Sequence, residues 1–270
     1  MTDLKTLCSD IEASAKAAAE FIKKESDVFD INQIESKGLN NFVSYVDKGS
    51  EKILIENLGR LVPEAGFIAE EGTSVKKGLK YNWIIDPLDG TTNFIHGVRP
   101  YAISIGLMEN DEIIAGVVHE VGGNETFTAW KNGGAWLNGN RIHVSTTPKL
   151  SGSLAATGFP YNLFDRLDPY MNLLTYLVKN THGLRRLGSA SIDLAYVACG
   201  RFDLFFEYDL KLWDVAAGML LVREAGGRFS DFSGKMKGLT GDETVASNAL
   251  IYNEIIEIIS GFMNSSQVEI

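Results

Sequence analysis

Between residues 101 and 144 the chain repeats short apolar runs separated by turn signals. "YAISIGLME" and "EIIAGVVHE" flank Asn110-Asp111, and "AWLNGNRIHV" carries Asn138-Gly139 between alternating residues. Asn-Gly favours the tight turn that joins two antiparallel strands, with no room for a crossover helix. A chain committed to neighbouring antiparallel strands over this length cannot be a regular βαβ protein. Helical patterns surround the run. Leu4, Leu7, Ile11, Ala15, Ala18 and Ile22 recur at helical spacing, which predicts an opening amphipathic helix. A second helix is predicted after Asp47, with Ile53, Leu54, Leu58 and Leu61 on one face. Residues 165–179 and 190–199 also read as helices. "WDVAAGMLLVREAGG" reads as a helix stopped by glycine, and Asn248 is placed to cap a last helix through Ile259. "GFIAEE", "YNWIID", "RFDLFFE" and "ETVASN" read as further strands. Helices therefore stand before, between and after antiparallel runs, which predicts a layered α+β fold. The 270 residues suit one domain over 1–270, and any division into two subdomains is expected near Leu150.

Charge and cysteine usage narrow the function classes. A net charge of −10 with no basic stripe argues against a nucleic-acid surface. It leaves an anionic substrate open, provided bound cations reverse the local field. Cys8 and Cys199 stand far apart with no CxxC pair, which predicts a reducing, cytoplasmic setting. The start, "MTDLKTLCSDIEASAKAAAE", lacks the apolar centre of a signal peptide. No apolar run approaches the roughly 20 residues that span a bilayer, so no membrane partner is expected.

"WIIDPLDGTTNF", residues 83–94, places two aspartates three apart around a proline. Pro87 biases Asp86 toward an extended backbone and removes a donor from the ladder. A turn from Asp86 to Asp89 would bring their Cα atoms within about 7 Å. Carboxylates that close either point into water, take up a proton or hold a cation between them. Gly90 permits close backbone approach. A helix starting at Thr91-Thr92 would offer free N–H groups to an anion; a capped Asp-Gly turn is the plainer alternative. Asp214 sits before a helical run as an ordinary N-cap would, and "SYVD", residues 44–47, reads as a capping box. Glu70 and Glu71 end a strand whose alternation aims only one of them at a given site. His96, His119, His143 and His182 show no zinc spacing. A carboxylate-only donor set would suit Mg²⁺.

These segments resemble a known family. "WIIDPLDGTTNF" resembles the first signature of the inositol monophosphatase family, and "WDVAAGMLLVREAGG" resembles the second. "FVSYVD", "GFIAEEG", "GGAWLNGNRIHVS" and "LGSASIDLAYVACGRFDLFFE" are similar to further family segments, in order, almost to the C-terminus. The resemblance implies an αβαβα sandwich, a homodimer, and two or three Mg²⁺ per site. Glu70, Asp86 and the Leu88 carbonyl would hold one ion; Asp86, Asp89 and Asp214 a second; a third would lie near Glu70. The phosphate would rest on Gly90 and Thr91, bordered by Leu88 and Asp89. Thr91, bonded to Asp47, would orient and deprotonate the attacking water held near Glu70.

The same resemblance implies a small-molecule phosphate ester as substrate, foremost inositol monophosphate, and lithium sensitivity. Gly188, Ser189, Ala190 and Glu207 would contact the polyol, with Asp214 also bordering it. Asp193 is read as a helix-face residue pointing elsewhere. Arg185 and Arg186 are placed either near the substrate or at a surface or subunit contact. Fructose bisphosphate, phosphoadenosine phosphate and histidinol phosphate remain alternative substrates, because related phosphatases share the metal acids. "GTTNF" favours the inositol branch, whereas Leu212 stands where many bacterial relatives carry proline. A regulatory, protein-binding role is the alternative of a different class.

Overall fold

Two sheets and three layers of helix alternate, as read from the computed structural model over residues 3–29, 35–38, 41–74, 76–160, 165–236 and 238–263. The chain opens with α1 (Leu4–Ser26), a short hairpin of β1 (Glu35–Gly38) and β2 (Asn41–Val43), and α2 (Tyr45–Leu61). The first sheet follows: β3 (Gly66–Ala69), β4 (Tyr81–Asp89), β5 (Ala102–Glu109), β6 (Glu112–Glu120), β7 (Glu125–Trp130), β8 (Gly134–Leu137) and β9 (Asn140–Ile142). Its strands lie in sequence order. Only β3 and β4 run parallel; the others pair antiparallel, as the tight turns require. Asn110, Asn138 and Gly139 all take positive φ at those turns. A five-residue helix, α3 (Thr91–Ile95), lies between β4 and β5.

The second sheet has the order β11-β10-β12-β14-β13. It is built from β10 (Leu154–Thr157), β11 (Gly183–Arg185), β12 (Leu204–Tyr208), β13 (Arg228–Ser230) and β14 (Glu243–Ser247). The intervening helices are α4 (Leu167–Asn180), α5 (Ala190–Ala198) and α6 (Leu212–Glu224), with α7 (Tyr252–Met263) last.

Three apolar seams hold the layers. Leu7, Ile11, Leu54 and Leu58 of α1 and α2 pack on Trp83, Ile85 and Val117 of the first sheet. Ile192, Leu194, Ala217 and Leu221 of α5 and α6 fill the space between the sheets, against Ile84, Phe127 and Phe205. Tyr170, Leu173, Ile255 and Ile259 of α4 and α7 cover the far face of the second sheet at Leu204 and Phe206. Two-residue alternation sorts each strand between seams. Ile85 faces the outer helices, whereas Ile84 faces the middle layer. The result is the αβαβα sandwich expected from the sequence.

Helix α6 lies unusually close to the first sheet. A Cβ on Gly116 would fall 3.1 Å from both the Cα and the carbonyl oxygen of Ala217. Backbone cannot yield as a side chain can, so Gly116→Val is expected to lower stability by about 1–3 kcal/mol. Chemical unfolding measures it; an unchanged midpoint would show that α6 is free to lift away.

Several sequence expectations are corrected. Asp86 to Asp89 do not form a turn. Both belong to β4, whose pairing with β5 slips by one residue between Asp86↔Ser104 and Asp89↔Ala102. Pro87, lacking an N–H, accommodates this bulge. Helix α2 does not follow Asp47 but contains it as the third residue after Ser44. Asp214 is likewise not an N-cap: α6 starts at Leu212 after Lys211, and Asp214 lies inside the first turn, where its carboxylate accepts the Lys211 amide. Asn248 accepts from the amides of Leu250 and Ile251 at 2.9 and 3.1 Å, closing a turn ahead of α7, which runs on to Met263. Strands β10, β11 and β13, of three or four residues each, carry too little periodicity to be seen in sequence. Among the described residues, no helix is long and apolar enough to cross a membrane.

Candidate active site

The bulge in β4 organises the site. Under strict alternation, residues three apart face opposite sides of a sheet. The extra residue at the bulge cancels that difference, so Asp86 and Asp89 serve one side. Asp86 is almost fully buried, and its Oδ1 accepts the Leu88 amide at 3.0 Å. Its partner across the ladder is Ser104, whose hydroxyl donates to the Trp213 carbonyl at 3.1 Å. That bond ties the start of α6, and Asp214 with it, to the strand beside Asp86. Asp214 is held in turn by the Lys211 amide, which donates to its Oδ2 at 2.6 Å.

Helix α2 braces the other side. Ser50 donates to the Pro87 carbonyl at 2.8 Å. Buried Glu51 accepts the amides of Glu71 and Thr73 at 2.8 and 2.7 Å, fixing the turn that begins at half-buried Glu70. Sequence reasoning missed Glu51, because an acid inside an amphipathic helix carries no sign that it reaches a distant loop. Asp47 accepts the Ser44 amide and hydroxyl at 2.8 and 2.6 Å. Its other oxygen lies 2.8 Å from the Thr91 hydroxyl, which also stands 3.0 Å from the Leu88 carbonyl. Thr91 has one proton, and the bond to the carboxylate is the stronger.

Asp89 reaches toward α5. It accepts the hydroxyl of Ser189 at 2.7 Å, the amide of Ser191 at 2.8 Å and the hydroxyl of Ser191. Gly90 has φ +86°, and a Cβ there would crowd the carbonyls of Gly188 and Pro100 at 3.1 and 3.2 Å, so only glycine fits. Asn93 staples the loop by donating to the carbonyls of Pro100 and Leu187, each at 2.7 Å.

The acids repel one another. Burial raises Asp86 well above the ordinary carboxylate range, and the charges of Glu70, Asp89 and Asp214 raise it further. Asp214 is raised well above by burial and then by Asp89, against the pull of the Lys211 amide. Burial raises Asp89 too, countered by Ser191 and Ser189. Asp47 is raised by burial against its Ser44 and Thr91 bonds. Among the described residues, no three His, Cys, Asp or Glu side chains close into a ready-made metal cage. The donor set nevertheless fits a hard divalent cation: it is all oxygen, and a cation would relieve the repulsion that now favours protonation.

Beyond Asp89 and Asp214 lies a cavity of about 50 Å³, also lined by Gly158, Arg186, Gly188, Ser189, Ala190, Asp193 and Glu207. Asp193 does not point elsewhere, as the sequence suggested. The bonds from Ser189 and Ser191 to Asp89 fix the rotation of α5, and that turns residue 193 into the cavity. The two arginines separate. Arg186 lines the cavity, with its guanidinium 5.8 Å from the Phe159 ring centre. Exposed Arg185 donates to its neighbour's carbonyl, Leu184. A larger cavity of about 490 Å³, on the other side of α6 against Phe229 and Met236, contains none of the expected site residues.

Known proteins resemble this chain over most of their length. The model of the inositol monophosphatase family matches residues 3–262. A Pseudomonas aeruginosa protein named Nus factor SuhB is 41% identical over 251 residues, covering 91% of this chain and 93% of that protein. A Rhizobium meliloti protein named inositol-1-monophosphatase is 40% identical over 250 residues, covering 92% and 94%. The crystal structure of the extragenic suppressor protein suhB from Bartonella henselae superposes with a TM-score of 0.89 at 34% identity, covering 94% of this chain and 98% of that one. A family match across nearly the whole chain, with the signature acids gathered around one bulge, leaves a single conclusion: this chain belongs to the inositol monophosphatase family.

Proposed function

We propose that the protein hydrolyses a phosphate monoester in a Mg²⁺-dependent reaction, with inositol monophosphate yielding inositol and phosphate. The observation that carries this reading is the meeting of Glu70, Asp86, Asp89 and Asp214 beside the Thr91–Asp47 pair. Glu70, Asp86, Asp89, Asp214 and the Leu88 carbonyl would hold two or three Mg²⁺. Bound there, the ions supply charge neutralisation for the phosphate and greater acidity for a nearby water.

The chain's own groups do the rest. Gly90, in its left-handed conformation, lets the backbone of residues 90–91 approach the phosphate. Thr91 accepts a hydrogen bond from the attacking water while its own proton points to Asp47. Asp47, already raised toward protonation, takes up the proton relayed through Thr91. The water oxygen forms the new bond to phosphorus as the ester P–O bond breaks, and the departing oxygen is protonated from solvent. Gly188, Ser189, Ala190 and Glu207 face the alcohol part. A homodimer and a cytoplasmic setting belong to the same reading.

Phosphate release from inositol monophosphate, fructose bisphosphate, phosphoadenosine phosphate and histidinol phosphate, with and without Mg²⁺, tests the proposal. Mg²⁺-dependent release led by inositol monophosphate, and inhibited by lithium, is expected. A lead by another ester keeps the chemistry and overturns the substrate; no release from any overturns both. A second reading rests on the 41% identity to a protein named Nus factor SuhB: a protein-binding role on a surface apart from the site. A pull-down partner retained by Asp86→Asn and lost on surface substitution would support it.

A further inference from the structure

One buried acid in the substrate cavity has no place in the phosphate chemistry. Asp193 is 1% exposed, and its Oδ1 is buried without a hydrogen-bond partner among the described residues. An unsatisfied carboxyl oxygen inside a protein is costly, which points to a partner that arrives with the ligand. Across the same cavity stands Glu207, 8% exposed, on the middle-layer face of β12. Gly158 fixes how close Glu207 comes: a Cβ on residue 158 would fall 2.1 Å from both Glu207 oxygens. The carboxylate therefore lies directly on the glycine backbone. Arg186 folds over Gly188 in the same cavity lining, where a Cβ on Gly188 would meet its Nη1 at 2.6 Å. Beside Asp89 and Asp214, two further acceptors and one cation thus line about 50 Å³. At about 10–15 Å³ for each water-sized group, that is room for a few hydroxyls.

We propose that Asp193 is a second reader of the substrate's alcohol part, binding one hydroxyl of a polyol while Glu207 binds another. The assignment rests on the phosphatase reading above and narrows it: the preferred ester carries at least two hydroxyls that can reach Asp193 and Glu207 together. Hydroxyl groups suit the site better than a further metal ion, because the Arg186 guanidinium already opposes the charge of both acids. Glu207 and Asp193 also repel one another, and donors arriving from a polyol would satisfy both at once.

The test compares myo-inositol 1-phosphate with p-nitrophenyl phosphate, whose alcohol part has no free hydroxyl. In Asp193→Ala, the ratio of kcat/KM for the inositol ester to that for the aryl ester is expected to fall by about 10- to 100-fold, mostly through KM. Asp193→Asn, which keeps an acceptor and the shape, is expected to recover part of the loss and serves if the alanine variant does not fold. A fall of equal size on both esters would show a merely structural acid and overturn the assignment. An unchanged ratio in a folded variant would overturn it too. Failure of the wild type on both esters would instead overturn the phosphatase reading, and this assignment with it.

Discussion

Asp86→Asn and Asp214→Asn are expected to lower Mg²⁺-dependent phosphate release by about 1000-fold or more while leaving the fold intact. The size follows from losing several kcal/mol of transition-state charge stabilisation, each 1.4 kcal/mol being about tenfold in rate. The fold survives because the amide side chain keeps an acceptor oxygen. In Asp86→Asn it still receives the Leu88 amide, and in Asp214→Asn the Lys211 amide. The same change removes a charge from among like charges, so the metal-free variants are expected to melt above the metal-free wild type. For a chain of this size, about 1 kcal/mol moves the midpoint by about 2–4 °C. Activity and melting together make a sharp check. Wild-type turnover in both variants would remove these acids from the mechanism; lost turnover with a lower melting point would mean that the substitution damaged the fold.

A second large effect is expected on the pH dependence of stability, and on its response to Mg²⁺. Asp47, Asp86, Asp89, Asp193, Glu207 and Asp214 all have carboxyls raised above their ordinary range, with burial the leading cause. A raised acid binds its proton more tightly folded than unfolded. Its contribution is therefore greatest below the ordinary carboxylate pKa of about 4 and is lost as pH rises through the folded value. In EDTA the protein is expected to melt at lower temperature as pH rises from 5 to 7.5. His119 acts in the opposite sense. Burial lowers it to about 4, so its contribution is complete above the ordinary histidine value of 6.5 and is lost as pH falls through 4. Glu109 and Glu125 are lowered too, by their bonds to Lys80 and Arg201, but a lowered acid acts mainly below the ordinary carboxylate range; above pH 5 one histidine opposes six raised acids, and the acids set the slope. Saturating Mg²⁺ should raise the melting point, by about 2.7 kcal/mol of stability at 100 times Kd, and flatten or reverse the slope. Melting curves from pH 5 to 8, with EDTA and with Mg²⁺, decide it. A melting point in EDTA that climbs toward neutrality and ignores Mg²⁺ would contradict the charge crowding described here.

Much of this architecture is legible in the amino-acid sequence. Asn138-Gly139 and Asn110-Asp111 are local devices: their backbone preferences demand tight turns wherever they stand, so the antiparallel run followed from neighbouring residues alone. The spacing of Leu7, Ile11 and Ala15 likewise announces a buried helical face. The resemblance of two long segments to family signatures gave the family and the acids proposed to hold metal, which single residues such as Asp214 could not have done.

Other features depend on contacts between segments far apart in the chain. The bulge at Pro87 shows only against the register of β5, so the sequence suggested a turn where a strand continues. Asp193 reads as a helix-face residue pointing elsewhere because α5 is apolar nearly all round, which leaves no face to orient it; the bonds to Asp89 from Ser189 and Ser191 decide its direction. Glu51 and Gly158 owe their meaning to the 71–73 turn and to Glu207, which no periodicity connects to them. By itself, then, the sequence determined the longer elements, their order and the family, because propensities, turns and signature runs act over short stretches of chain. Only the tertiary structure decided which acids share one buried space and which carboxyl oxygen lacks a partner among the described residues, because burial and charge repulsion are properties of neighbours brought together by folding.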